Sequence, residues 1–207
     1  MFSSHLQDPQ DDLANRIRAS ALEDIRLNGI LGLRVTRVAR GAYCSVTQIY
    51  RHFGDRNGLI ADVLAQVFDE ITTTTIRRTL ELLSAMTTIT VAEFVATLPL
   101  PSSFAEREEA LLRSQILAVA TVNPELHERL TEITRRVWPQ WIEACEMIEA
   151  RLVPGESFDR RVVFIVLLNS NLFYNSLLAE NAVTDDEYRK FLIDIFGTKN
   201  NSNAEQD

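Results

Sequence analysis

Helix-start signals recur along this chain and fix its class before any other property does. Ser45 stands three positions before Gln48, Thr90 before Glu93, Ser103 before Glu106 and Thr184 before Glu187. In each pair the hydroxyl can accept the backbone N–H three residues on, while the longer side chain reaches back to the first residue's own N–H. Two of the donors that a helix N-terminus leaves unpaired are then satisfied. Asn123-Pro124 adds an N-cap followed by proline at the first helical position. Seven glycines and six prolines fall singly, which leaves no room for a Gly-rich phosphate loop and favours long helices. No alternating apolar–polar pattern and no repeat is present, so the expected fold is all-α.

The first helix is expected from Asp11 or Asp12 as N-cap, through Leu13, Ile17, Ala21 and Ile25, to Asn28-Gly29. A short segment spans 35–42, with Gly41 or Tyr43 marking its end. A third opens at Ser45 and runs to Phe53. Gly54-Asp55 then caps a long helix carrying Leu59, Ile60, Val63, Leu64, Val67, Phe68 and Ile71. Its period continues across Thr72–Thr75 despite the poor helix propensity of four threonines. Further periodic segments lie at 91–98, 105–121, 124–152, 159–180 and 185–196. Pro139, between Trp138 and Trp141, is expected to kink or break the segment that holds it. Three helices in about 45 residues, the last two short and joined tightly, describe a helix-turn-helix.

Net charge is −8, which by itself argues against a nucleic-acid partner, but its distribution reverses that. Residues 16–56 hold eight arginines against Glu23, Asp24 and Asp55, a net of +5, whereas 57–207 hold 13 basic and 23 acidic groups, a net of −10. A basic segment on an acidic body suits a protein that touches phosphate with one end. Every basic residue of that segment is arginine, whose planar fork fits phosphates and base edges.

In a helix-turn-helix the second short helix presents its N-terminal residues to the major groove. Val35, Val38, Ala39 and Ala42 supply the packed face of the first short helix, and Ile49 and Phe53 that of the second. Ser45, Val46, Thr47, Gln48, Arg51 and His52 are left outside. Glutamine can pair with adenine, threonine and valine can meet a thymine methyl, and serine, tyrosine and arginine can hold phosphates. Arg56, in the first turn of the next helix, lies where free N–H groups also favour an anion.

The order Val35-x-x-Val38-Ala39-x-x-Ala42-x-Cys44-Ser45-x-x-x-Ile49-Tyr50-x-His52-Phe53-x-Asp55-Arg56 resembles the N-terminal signature of the TetR family of transcriptional regulators. The match covers residues 12–70, and Ile49–Phe53 with Asp55-Arg56 is its specific part. The resemblance implies a three-helix DNA-binding domain at 11–56, then a roughly six-helix effector-binding and dimerisation domain at 57–197, with a disordered tail at 198–207. It implies phosphate contacts for Tyr50, His52 and Arg56, and groove-facing roles for Thr36, Val46, Thr47, Gln48 and Arg51. Arg34 and Arg37 join the DNA-binding candidates. Three positions depart from the pattern. Tyr43 replaces the turn glycine and must accept the turn's backbone geometry at some cost or alter it. Arg34 replaces the usual helix-starting hydroxyl, so that either Thr36 caps the helix or Arg34 meets phosphate itself. Thr47 replaces a glycine of the recognition helix.

The resemblance further implies that the last two helices form a homodimer, and the run Val162–Leu168, apolar on every side, agrees with that. Candidate interface residues are Phe164, Leu167, Leu168, Asn171, Tyr174 and Leu178, followed by Tyr188, Phe191 and Ile195. Candidate effector residues in the middle helices are Phe68, Phe94, Phe104, Leu111, Trp138 and Trp141, with polar Gln115, Asn171 and Asn175.

Residues 162–178, interrupted by Asn169, Ser170, Asn171, Asn175 and Ser176, fall short of the roughly 20 apolar residues of a membrane span. Cys44 and Cys145 lie far apart without partners at metal-like spacing, which suits a reduced, cytoplasmic setting. His127 among Glu125, Glu128 and Glu132 lacks a second imidazole or thiolate, and no cofactor or metal is expected. No nucleophile–base pair marks an enzyme. The reading that follows is a ligand-gated repressor, released from a palindromic operator by a small apolar or amphipathic effector. Its alternative is an interaction protein of the same fold that has lost sequence-specific DNA binding.

Overall fold

The computed structural model describes residues 9–97, 108–160 and 184–196. Among them are eight helices: α1 (Pro9–Gly32), α2 (Val35–Gly41), α3 (Val46–Phe53), α4 (Arg56–Ser84), α5 (Val91–Ala96), α6 (Glu108–Ala120), α7 (Pro124–Arg151) and α8 (Asp185–Phe196). The described residues contain no strand, only an isolated bridge between Ile89 and Leu152. No helix among them is long and apolar enough to cross a membrane. The chain divides into two compact units, residues 1–70 with 116–133, and residues 71–115 with 134–207.

Helix starts follow local chemistry. The Ser45–Gln48, Thr90–Glu93 and Thr184–Glu187 pairs all form reciprocal capping boxes, and the Asn123 side chain accepts the Leu126 N–H at 3.1 Å. The Ser103–Glu106 pair lies outside the described residues. Helix α1 begins at Pro9 rather than at Asp11 or Asp12. Proline suits a first turn because the N–H it lacks would be unpaired there anyway. Gly29, at φ 73°, interrupts α1 as the Asn28-Gly29 pair predicts.

Two proline and threonine expectations resolve differently. Helix α7 runs through Pro139 from Pro124 to Arg151, so Pro139 does not break it. Pro139 and Arg135 both lie on the exposed side, where water can take the carbonyl that proline leaves without a donor. Helix α4 continues through Thr72–Thr75 as the period predicts. The Thr75 hydroxyl bonds back to the Ile71 carbonyl at 2.7 Å and Thr79 does the same to Thr75 at 3.0 Å.

In the first unit, α1 supplies Ile17, Ala21 and Ile25, α2 supplies Val38, α4 supplies Leu59 and Leu64, and α7 supplies Leu126, each almost wholly buried. Close approach of α1 and α2 depends on Gly41: a Cβ there would come within 2.3 Å of the Ser20 hydroxyl oxygen. That hydroxyl donates to the Val38 carbonyl at 3.0 Å. Helix α3 has one fully buried anchor, Ile49, worth roughly 1.5–3 kcal/mol of burial.

The second unit joins the end of α7 to the segment before α5. Ile89 N–H donates to the Arg151 carbonyl at 2.8 Å, and Val153 N–H donates to the Ile89 carbonyl at 3.0 Å. Phe94 packs edge-on against Phe158 and Phe196, with centroids 5.5 and 5.6 Å away. Cys145 is buried, and burial pushes its thiol up to about 11, so it stays protonated and inert.

Candidate nucleic-acid interface

The surface of the helix-turn-helix follows from how α3 is held. Ser45 caps it: the Gln48 N–H donates to the Ser45 hydroxyl at 3.2 Å, and Gln48 Oε1 accepts the Ser45 N–H at 2.8 Å. Ile49 turns inward, which leaves Ser45, Thr47, Tyr50 and Arg51 exposed and Val46 and Gln48 half-buried. The Gln48 amide thus spends one acceptor on its own helix, while its Nε2 donors are not engaged in the box.

Helix α2 is braced by a residue from α1. Asp24, almost wholly buried, accepts the N–H of the N-cap residue Arg34 at 3.0 Å and so ties the start of α2 to α1. Arg34 is the N-cap residue, and its own side chain makes no capping bond. Thr36 lies inside the helix and does not cap it. Thr36 and Arg34 are exposed.

The other arginines divide by what they already hold. Arg37 donates from Nε and Nη2 to Asp24 at 2.5 and 3.0 Å, and from Nη2 to the Gly32 carbonyl at 2.6 Å. Arg56 donates to the carbonyls of Leu33, Leu31 and Ile30 at 3.1, 3.0 and 3.4 Å. These carbonyls lie at the C-terminal end of α1 and just beyond it, where a helix runs out of its own N–H donors. Arg18 reaches Asp62 at 2.6 Å and lies over the Phe53 ring, 5.7 Å from its centroid. Arg129 of α7 meets the other oxygen of Asp62 at 3.0 Å. Arg34, Arg40 and Arg51 remain exposed.

His52 is half-buried, and its Nε2 is enclosed with no hydrogen-bond partner. Any phosphate contact of His52 therefore falls to Nδ1. The turn before α3 runs through Tyr43 at φ 53° with its side chain exposed. It keeps the left-handed geometry that its position demands.

Elsewhere the candidates scatter. Phe68 and Phe94 are buried, Leu111 and Trp141 are half-buried, and Gln115 and Trp138 are exposed. Phe104, Asn171 and Asn175 lie outside the described residues, as do Phe164, Leu167, Leu168, Tyr174 and Leu178. A cleft of about 340 Å³ in the first unit is lined by Ile30, Leu31, Arg56, Ile60, Val119 and Val122, among others, and by none of the effector candidates. On α8, Leu192 and Phe196 are buried, Phe191 is 53% exposed, and Tyr188 and Ile195 are half-buried.

Sequence reasoning missed Asp24, Asp62 and Arg129. Each is paired across 13 or more residues, and such partners leave no spacing signal.

No family model and no curated protein matches the chain. Solved structures do. A protein from Mesorhizobium loti described as a TetR-family transcriptional regulator aligns at TM-score 0.65 and 18% identity, covering 93% of this chain and 100% of the other. GusR of Salmonella enterica aligns at 0.60 and 16% identity, with 94% and 100% covered. The multidrug binding protein EbrR, in complex with proflavin, aligns at 0.57 and 18% identity, with 87% and 97% covered. This chain has the helical fold of the TetR-family transcriptional regulators.

Proposed function

We propose that this chain is a ligand-responsive transcriptional regulator of the TetR family. It binds operator DNA as a homodimer through α2 and α3, and leaves a palindromic operator when a small apolar or amphipathic effector binds. The observation that carries the reading is the exposed side of α3. Ser45, Thr47, Tyr50 and Arg51 stand out from a helix pinned by Ile49, within a segment of net charge +5. Thr47 and Val46 suit base edges; Tyr50, Ser45 and the Nδ1 side of His52 suit phosphates. Arg34 and Arg51, exposed and fixed in charge, supply counterion release. Arg37 and Arg56 act through the frame of the head, because their Nε and Nη2 donors already serve Asp24 and backbone carbonyls.

Two heads separated by one turn of DNA, roughly 34–36 Å, would read the two half-sites. An effector that favours another separation lowers DNA affinity, and DNA lowers effector affinity by the same factor. The bound proflavin of EbrR supports an apolar or amphipathic ligand class, as a property of that protein. The test is a gel shift of the full chain on the DNA upstream of its own gene, across a salt series. Thr47→Ala and Val46→Ala are expected to change which duplexes bind, whereas Arg51→Ala weakens all duplexes alike and lowers the salt slope by about 0.9 per head. Absence of any retarded band at low salt would favour an interaction protein that has lost DNA binding.

A further inference from the structure

The turn between α2 and α3 closes as a Schellman motif. Cys44 N–H donates to the Ala39 carbonyl at 2.9 Å and Tyr43 N–H to the Arg40 carbonyl at 3.2 Å. The motif needs its middle residue in the left-handed region, where a Cβ crowds the following carbonyl and glycine is the usual occupant. Tyr43 fills that position at φ 53°, alone among the described non-glycine residues in having positive φ.

A bulky side chain held there costs stability, and packing would be the ordinary compensation. Tyr43 has none within the chain. It is 91% exposed, and its ring and hydroxyl take part in no ring contact or hydrogen bond among the described residues. Strain of this kind, held in place by the surrounding turn, clusters at functional sites. The residue sits two positions before the Ser45 N-cap, and Arg40, Ser45 and Thr47 are the nearby residues that reach the surface with it.

We propose that Tyr43 is a DNA-contacting residue whose hydroxyl donates to a backbone phosphate at the edge of the groove that α3 enters. The proposal rests on the DNA-binding reading above. Glycine at this position could make no such contact. Because the phenol is neutral, it releases no counterion and adds affinity without adding to the salt slope. Because phosphates carry no sequence information, it adds on every duplex alike.

The test uses the full chain, Tyr43→Phe and Tyr43→Gly. Binding to a labelled random-sequence duplex long enough for two half-sites is measured by anisotropy across a salt series, alongside thermal melting. Both variants are expected to bind roughly tenfold more weakly than wild type with an unchanged slope. Tyr43→Gly is expected to melt about 2–4 °C higher, through relief of the left-handed strain. Undiminished binding by Tyr43→Phe overturns the phosphate contact. So does a Tyr43→Gly variant that loses binding and melts lower, since the tyrosine would then be needed by the turn itself. A wild-type chain that binds no duplex at all overturns the DNA-binding reading and this proposal with it.

Discussion

Asp24 holds Arg37 with both carboxylate oxygens: Nε donates to Oδ1 at 2.5 Å and Nη2 to Oδ2 at 3.0 Å. The same carboxylate anchors the start of α2 through the Arg34 N–H and takes the Asn28 amide at 3.1 Å. One almost wholly buried group of α1 therefore sets both the start and the orientation of α2. Asp24→Asn keeps the size but loses the bidentate ion pair, and leaves Arg37 without a counter-charge. A loss of about 2–3 kcal/mol is expected, read as a fall in melting temperature at neutral pH.

The same residue gives the stability a defined pH dependence. The Arg37 guanidinium holds the Asp24 carboxyl below its ordinary 3.8, with help from the Arg34 N–H and Asn28, and against burial, which pushes it up. A depressed carboxylate contributes fully above its unfolded value and loses that contribution as pH falls through its folded value. The melting gap between wild type and Asp24→Asn is therefore expected to stay constant above about pH 5 and to close progressively in more acid solution. A gap that persists unchanged into strong acid would remove the ion pair as its cause.

Arg56 gathers the carbonyls of Ile30, Leu31 and Leu33, so its substitution is expected to act on the fold before it acts on DNA. Arg56→Ala should cost about 2 kcal/mol. Arg56→Lys should recover little of that, since a point ammonium cannot serve three carbonyls set around a planar fork. The salt slope of DNA binding should be the same for both variants as for wild type. A slope reduced by about 0.9 per head in Arg56→Ala and restored in Arg56→Lys would instead assign the residue to phosphate.

What could be read from the sequence is what local spacing encodes. Three residues separate Ser45 from Gln48, Thr90 from Glu93 and Thr184 from Glu187, and each pair builds the start that its spacing predicts. Tyr43 could be marked only through the family resemblance, because it stands where that signature has its turn glycine. Long-range partners could not be read. Asp62 meets Arg18 44 residues earlier and Arg129 67 residues later, and only the packing of three helices brings them together. For the same reason the partners of Arg37 and Arg56, a distant carboxylate and backbone carbonyls, left no signal in the spacing. Proline gave a mixed signal. Pro9 and Pro124 mark helix starts, whereas Pro139 is carried inside α7 on an exposed face.

Arg113 of α6 is half-buried and, among the described residues, has neither a carboxylate nor a carbonyl partner. Burial alone pushes its guanidinium below its ordinary value. Every other half-buried arginine described here, such as Arg18, Arg129 and Arg160, has an acidic or backbone partner. Arg113→Met keeps the apolar stem while removing an unpaired, desolvated charge. A gain of about 1 kcal/mol is expected, seen as a rise of roughly 2–4 °C in melting temperature. A fall would show that the charge is compensated within the chain.

On α8, Leu192 and Phe196 point into the second unit, while Phe191 is 53% exposed with Tyr188 and Ile195 at helical spacing on either side. A helix with one apolar face buried and another half-exposed suits pairing with a second copy, as the proposed homodimer requires. Phe191→Glu leaves the inward face intact and sets a charge on the outward one. At an interface centre such a change costs about 2 kcal/mol or more, roughly a thirtyfold loss of dimer affinity. Light scattering across a dilution series should find the variant monomeric at concentrations where wild type is dimeric, with helical content unchanged by circular dichroism. Because two half-sites are then read by separate heads, operator affinity should fall with the dimer. Equal masses for the two proteins at every dilution would place the interface elsewhere.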